Sequence, residues 1–300
     1  MYNCSICPRK CGADRSGEKK GFCNSPDAFS VAKIMLHSWE EPCISGERGA
    51  GTVFFSGCNL GCIYCQNLII SRGGCGEIMS EAELEKEIFS LCERGASCIE
   101  FVTPTHYSDR LAALLSRIKD KIPVPTVYNC GGYESVSSLK LLDGLIDIYM
   151  PDFKYFSPDI AKKYSNAPNY RDIAIAALKE MLRQVGSPVY FDNDPDRLAG
   201  GVIVRHLILP SHRQDSIDVL EFIAREVGSD NVILSLMGQY TPDFYLEFEN
   251  RYGCREDCRN LRRRITSFEY SSVLSTAQRL GFTGYMQDIS SASAQYTPDF

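Results

Sequence analysis

Three cysteines, Cys58, Cys62 and Cys65, follow the apolar run "TVFFSG" as C-x3-C-x2-C, with Gly57 before the first and Tyr64 just before the last. Zinc sites and iron-sulfur clusters usually take four ligands, so three close thiols describe a metal site with one corner open to chemistry. Cys75 is the next cysteine; loop flexibility keeps it in reach as a fourth ligand, but it falls beyond "GG", outside the tight loop. A disulfide role fits poorly, because no segment reads as a secretory signal or a membrane-length apolar run, and the expected compartment is the reducing cytoplasm. A second constellation, Cys4, Cys7, Cys11 and Cys23, is spaced C-x2-C-x3-C-x11-C. Four soft ligands are the count of a closed structural site, suited to zinc or to an auxiliary iron-sulfur cluster, with unmetallated thiols as the third reading. Cys43 in "EEPCISG" is a spare thiol able to replace one of the four. Fourteen cysteines in all point to metal rather than to disulfides.

The elements that must position these thiols form an alternating pattern. Short, nearly continuous apolar runs at 52–57, 98–104, 125–130, 146–152, 202–210 and 231–237 read as strands covered on both faces. Between them lie helical runs, several opened by Ser or Asp and closed by Gly; one, "SPDIAKKYSNAPNYRDIAIAALKEMLRQVG", is long. Six βα units fit an α/β fold, a partial (β/α)6 barrel of the TIM type, with the C-terminal ends of the strands on one functional rim. The expected organisation is a cysteine-rich N-terminal extension over 1–48 and a core barrel with a C-terminal helix over 49–300. A chain of 300 residues with 44% hydrophobic content can bury one large core. The net charge of -6 argues against a broad nucleic-acid surface, and the basic run "RNLRRR" at 259–264 reads as a solvated face. Neither nucleic acid nor membrane is an expected partner.

At this point the motifs carry a resemblance. C-x3-C-x2-C with an aromatic residue before the last cysteine resembles the signature of radical S-adenosylmethionine (SAM) enzymes. The longer stretch "HSWEEPCISGERGAGTVFFSGCNLGCIYCQN" resembles uncharacterised iron-sulfur proteins related to pyruvate formate-lyase activating enzyme, and the likeness runs through nearly the whole chain. It implies that Cys58, Cys62 and Cys65 hold a 4Fe-4S cluster whose fourth iron is chelated by SAM. It also implies a flavodoxin or ferredoxin as electron donor, reductive cleavage of SAM and abstraction of a hydrogen atom.

Rim by rim, the resemblance suggests further roles. "TPTHY" (103–107) stands where the activating enzymes have a glycine-rich turn for the amino group of SAM; Thr103 and Thr105 offer hydroxyls there, and His106 is a candidate cap or acid. "YNCGGYES" stands where those enzymes approach the ribose and carboxylate of SAM, with Asn129 in place of a charge, and Cys130 on the same rim is a candidate hydrogen-atom donor against its role as a small buried hydrophobe. In "MPDFKY", Asp152 and Lys154 alternate and therefore share one face of the strand; they resemble an Asp-x-Lys pair whose lysine meets the methionyl carboxylate. Arg205 in "VRHLILP" presents a planar fork to a carboxylate of SAM or substrate, whereas His206 faces the other way. Gln239 and Tyr240 close the list, as polar groups near the adenosine.

The substrate implied by resemblance is a glycine in a partner glycyl radical enzyme. A radical SAM enzyme acting on a small metabolite or a peptide is the alternative, and a non-catalytic iron-sulfur or zinc protein is the alternative of another class. Cys254 and Cys258 in "CREDC" read as surface thiols, one helical turn apart if that segment is helical. The hexapeptide "QYTPDF" occurs at 239–244 and again at 295–300, with no function assigned to the copy.

Overall fold

The structure is a computed structural model that describes residues 4–16, 20–72 and 75–287. In chain order its elements are β1 (Phe29–His37), α1 (Pro42–Ser45), β2 (Ala50–Phe55), α2 (Leu68–Ser71), β3 (Glu77–Met79), α3 (Glu81–Glu93), β4 (Ile99–Val102), α4 (Ser108–Ile118), β5 (Thr126–Cys130), α5 (Val136–Leu139), β6 (Ile148–Pro151), α6 (Pro158–Ser165), α7 (Tyr170–Val185), β7 (Val189–Phe191), β8 (Asp194–Leu207), α8 (Arg213–Val227), β9 (Ile233–Met237), α9 (Pro242–Tyr252), α10 (Ser267–Arg279) and β10 (Gly284–Met286). Among the described residues, no helix is long and apolar enough to cross a membrane.

The fold is α/β with a mostly parallel sheet. Its strand order is β10-β9-β8-β6-β5-β4-β2-β1-β3, with β7 hairpinned onto β8. From β2 to β10 every pairing along this path is parallel, whereas β1 and β3 add antiparallel strands at the other end. The order has two ends, so strand pairing does not close the barrel. Each expected strand run overlaps one of β2, β4, β5, β6, β8 and β9, although β8 begins at Asp194, well before the expected 202. The long helical run is two helices, α6 and α7, because Asn166 adopts a left-handed φ of 49° that caps α6 and turns the chain.

Alternation along the strands sorts the core into two layers. Val53, Phe55, Phe101, Tyr128, Tyr149, Val204 and Leu234 point outward into the main hydrophobic cluster. Ala50, Cys98, Val127, Ile148, Met150, Ile203 and Ile233 fill the interior with Cys43 and Ile44 of α1. The interior layer is interrupted by charge: Glu100 and Arg205 sit on the inward face of β4 and β8. The segment between β1 and β2 accounts for Arg205. His37, the last residue of β1, pairs with Ala50 of β2, while Glu41, four positions on, accepts from Arg205 Nε at 2.7 Å. Glu40 and Glu41 both also accept from Arg205 Nη2. The segment therefore reaches from one end of the parallel run to β8 and braces the side that no strand pair closes. The sheet begins at Phe29, ahead of the expected domain boundary at 48.

Burial opposes ionisation of Glu41, but Arg205 outweighs it and holds the carboxyl below its usual range. Removing one member of such a pair leaves a buried charge uncompensated. Glu41→Ala should destabilise the protein by about 3–5 kcal/mol in denaturant unfolding, and Arg205→Met with Glu40→Gln and Glu41→Gln should cost less than Glu41→Ala alone. A loss below about 1 kcal/mol for Glu41→Ala would place the pair among weak surface contacts.

Candidate active site

The loop after β2 carries the cysteine triplet, and backbone chemistry fixes its course. Gly57 has φ of 90°, and a side-chain carbon there would stand 2.0 Å from Ser25 Oγ, so only glycine lets the loop leave the strand under the N-terminal segment. Gly57 N–H donates to the Ile70 carbonyl at 2.7 Å, and Ile63 N–H to the Tyr164 carbonyl at 3.0 Å. Asn59 Nδ2 donates to the Tyr133 carbonyl at 2.6 Å. Opposite this loop, Gly132 holds φ of 76° where a side-chain carbon would stand 2.1 Å from the Asp152 carbonyl oxygen.

These loops enclose a cavity of about 200 Å³. Cys58, Cys62, Cys65 and Tyr64 line it together with Thr103, Asn129, Asp152, Lys154, Arg205 and Gln239, residues drawn from the rim of every main parallel strand. Cys130 and Tyr240 also line it. Asp152 and Lys154 share the inward face, with Lys154 Nζ donating to Asp152 Oδ2 at 2.6 Å. Burial disfavours the ammonium, but Asp152 and the sulfurs of Cys62 and Cys65 outweigh it and raise the lysine's pKa, so the lysine stays charged. Thr103 has φ of 56°, a strained conformation for a β-branched residue and of a kind that clusters at functional sites.

Three candidates are placed elsewhere or differently. Thr105 is buried outside the cavity, where its hydroxyl donates to Glu134 Oε1 at 2.7 Å, because the turn after β4 directs it away from the mouth. His106 is buried with Nε2 2.9 Å from the Ser56 carbonyl, and burial with Arg15 nearby lowers its pKa to about 3; it cannot cap the site or serve as an acid there. Arg205 lines the cavity, but its fork is already held by Glu40 and Glu41 rather than free for a ligand carboxylate. His206 does face outward, with Nδ1 2.6 Å from the Phe153 carbonyl. Cys75 packs against a small cluster of Phe54, Ile70 and Val102, and is not among the cavity residues. Cys254 is exposed and Cys258 is fully buried, so they do not form one surface pair.

Several buried polar groups escaped the sequence reading. His37 and Glu40 line the cavity, and Glu100 accepts from Asn129 Nδ2 at 2.8 Å and Thr52 Oγ1 at 2.9 Å. Burial, with Glu40 adding to it, raises the pKa of Glu100. Glu134 lies behind Cys130. The signal for Glu100 was present: an acid inside the otherwise apolar "CIEFVTP" needs partners.

The donor set fits a thiolate-held cluster. Leu60 N–H points at Cys58 Sγ at 3.4 Å, Ser165 Oγ donates to Cys62 Sγ at 2.9 Å, and the Asn67 amide favours the Cys65 thiolate. Burial nevertheless pushes the Cys58 thiol up to about 12 and raises that of Cys65, a cost that a cationic metal beside the sulfurs would offset. In the same wall, buried Asn67 Oδ1 and Thr241 Oγ1 have no protein partner, leaving hydrogen bonds for a polar ligand. Among the described residues, no three Cys, His, Asp or Glu side chains are grouped to hold a metal ion. A four-iron cluster places each thiolate on a separate iron, so single-ion convergence is not its requirement. A lone zinc ion does require it, and the N-terminal zinc site therefore lacks support: Cys4, Cys7 and Cys23 are buried, whereas Cys11 is exposed. The second "QYTPDF" lies outside the described residues.

Known proteins resemble the chain in part. Residues 52–197 match the Radical SAM superfamily model. This segment is similar to a radical SAM domain. The match spans the cysteine loop, Asp152 and Lys154 but ends before Arg205. Over 286 residues the chain is 26% identical to an uncharacterized protein of Methanocaldococcus jannaschii, covering 92% of this chain and 75% of that protein. A solved radical S-adenosylmethionine methyltransferase, TsrM from Kitasatospora setae with cobalamin and a 4Fe-4S cluster bound, is similar at a TM-score of 0.45 and 13% identity. That likeness covers 63% of this chain and 34% of the solved one, so the chain spans about a third of its length.

The buried acid behind the cavity gives a pH test. Burial raises the Glu134 carboxyl from 4.5 to about 7, so its contribution to stability is complete below pH 4.5 and is lost as pH rises through about 7. Glu134→Gln should make the fall of the thermal midpoint between those values shallower, measured on metal-free protein, with Glu100 supplying the slope that remains. An unchanged pH slope in the variant would remove Glu134 from the account.

Proposed function

We propose that the chain is a radical SAM enzyme acting on a small metabolite or a short peptide, with Cys58, Cys62 and Cys65 holding a 4Fe-4S cluster. The observation that carries this reading is one cavity shared by the three thiols, the Asp152–Lys154 pair and the two unpartnered polar atoms. When bound, the cluster and SAM supply one-electron cleavage of the sulfonium and hydrogen-atom abstraction.

The chain's own residues bind, orient and exclude water. Arg205's fork is taken by two glutamates, whereas Lys154 gives one of its three ammonium protons to Asp152 and keeps donors for the methionyl carboxylate, with Asp152 holding it charged and aimed. Thr103, Asn129, Asn67, Gln239 and Thr241 offer hydrogen bonds to the rest of SAM. Leu60, Val102, Leu207, Met237 and Phe244 form the apolar wall that keeps water from the reacting atoms. Cys130 faces the same space with Glu134 behind it.

The electron donor in this reading is a flavodoxin- or ferredoxin-type carrier. Outside the cysteine loop, a groove lined by Leu60, Gly61 and Ile63 carries Arg72, Lys162, Lys163 and Arg255 against Asp159 and Asp257, a balance that favours a negatively charged carrier.

Anaerobically reconstituted protein with dithionite and SAM should release 5'-deoxyadenosine, detected by chromatography. Cys58→Ala, Cys62→Ala and Cys65→Ala should each lose the product and the cluster absorbance, whereas Cys75→Ala should keep both. Equal loss in Cys75→Ala would make the cluster a four-cysteine one with no open iron. Lys154→Met should weaken SAM binding by about 1.5–3 kcal/mol while the cluster stays intact.

A further inference from the structure

The N-terminal segment places a cation on the cysteine loop. Arg9 sits on a turn closed by Lys10 N–H donating to the Cys7 carbonyl at 3.0 Å, and Lys10 takes φ of 42° to make it. From there Arg9 Nε donates to the Asn59 carbonyl at 2.7 Å and Nη2 to the Leu60 carbonyl at 3.5 Å, both between Cys58 and Cys62. The same guanidinium donates to the carbonyls of Ser165, at 2.8 Å, and Asn166, at the end of α6. Its Cζ lies over the rings of Phe22, 4.0 Å from the centroid, and Tyr133, 5.1 Å from the centroid. Cys58 and Cys62 are near enough to interact with its charge.

Ser165 is the second link. Its hydroxyl donates to Cys62 Sγ at 2.9 Å, and it stands 2.6 Å from Tyr155 OH, which is 2.6 Å from Tyr64 OH. Tyr64 is the aromatic residue of the cysteine signature, so Tyr64, Tyr155, Ser165 and Cys62 form one buried polar chain. Arg9 fixes the backbone at Ser165 and thus the hydroxyl that meets the sulfur.

We propose, building on the cluster reading above, that Arg9 is a positioning residue that sets the reduction potential of the cluster, by its fixed charge and by aiming Ser165 at Cys62. A reduced cluster carries one more negative charge than an oxidised one. A nearby cation and a hydrogen bond to a ligating sulfur both stabilise the reduced form and raise the potential. Arg9 thus hydrogen-bonds both the cysteine loop and the end of α6.

The test is a redox titration, followed by electron paramagnetic resonance, of anaerobically reconstituted full-length protein, with iron and sulfide assayed alongside. Arg9→Gln is expected to keep wild-type iron and to shift the midpoint to a more negative potential. Arg9→Lys, which keeps charge without the fork, should recover part of that shift. Ser165→Ala should move the midpoint in the same direction and carries the test if Arg9→Gln does not fold. An unchanged midpoint in Arg9→Gln, or in Ser165→Ala where that variant stands in, would overturn the proposal. Failure of the cluster reading itself would look different: wild-type protein would bind no iron and give no signal.

Discussion

Arg205 stands on the inner face of β8, in a layer otherwise built from residues such as Ile203, Met150 and Val127, and two glutamates from a distant segment hold it there. A guanidinium in such a place is stable only while its partners stay in register. Because those partners lie between β1 and β2, the ion pair joins the start of the parallel run to β8 across the side that no hydrogen-bonded strand closes. The cavity depends on that brace. Its floor includes His37 and Glu40 from the same segment, and Glu40 is part of what raises the buried Glu100 carboxyl.

The same pairing decides how charge is distributed above the floor. With Arg205 occupied, Lys154 and its partner Asp152 are the charged pair nearest the cysteine sulfurs, and the rest of the wall offers neutral hydrogen-bonding groups and apolar surface. The cysteine loop is secured from outside the cavity. Arg9, Arg72 and the amide of Ile63 hold its backbone to the N-terminal segment, α2 and α6, leaving the sulfurs facing inward. Rigidity on one side and an open face on the other suit a site that positions a reactive group while shielding it from water.

Much of this was legible in local pattern. The thiol spacing, the six parallel strands and the alternation of Asp152 with Lys154 are short-range signals, and all three depend on periods that a sequence displays directly. The role of Glu40 and Glu41 was not legible, because their partner is more than 160 positions away. Arg205 was therefore read as free, when the fold had already paired it. Thr105 and His106 were misplaced for a smaller reason: a tight turn after β4 sends neighbouring side chains in different directions, and only Thr103 faces the cavity. The short strands β3, β7 and β10, three residues each, carry too little pattern to be read from sequence.

The central claim is that three thiolates leave one iron for SAM. It is tested most directly by electron-nuclear double resonance on the dithionite-reduced, reconstituted protein mixed with SAM carrying a 15N-labelled amino group. The account predicts altered g-values on adding SAM and a nitrogen hyperfine coupling to the cluster. A spectrum indifferent to SAM, with no such coupling, would contradict it.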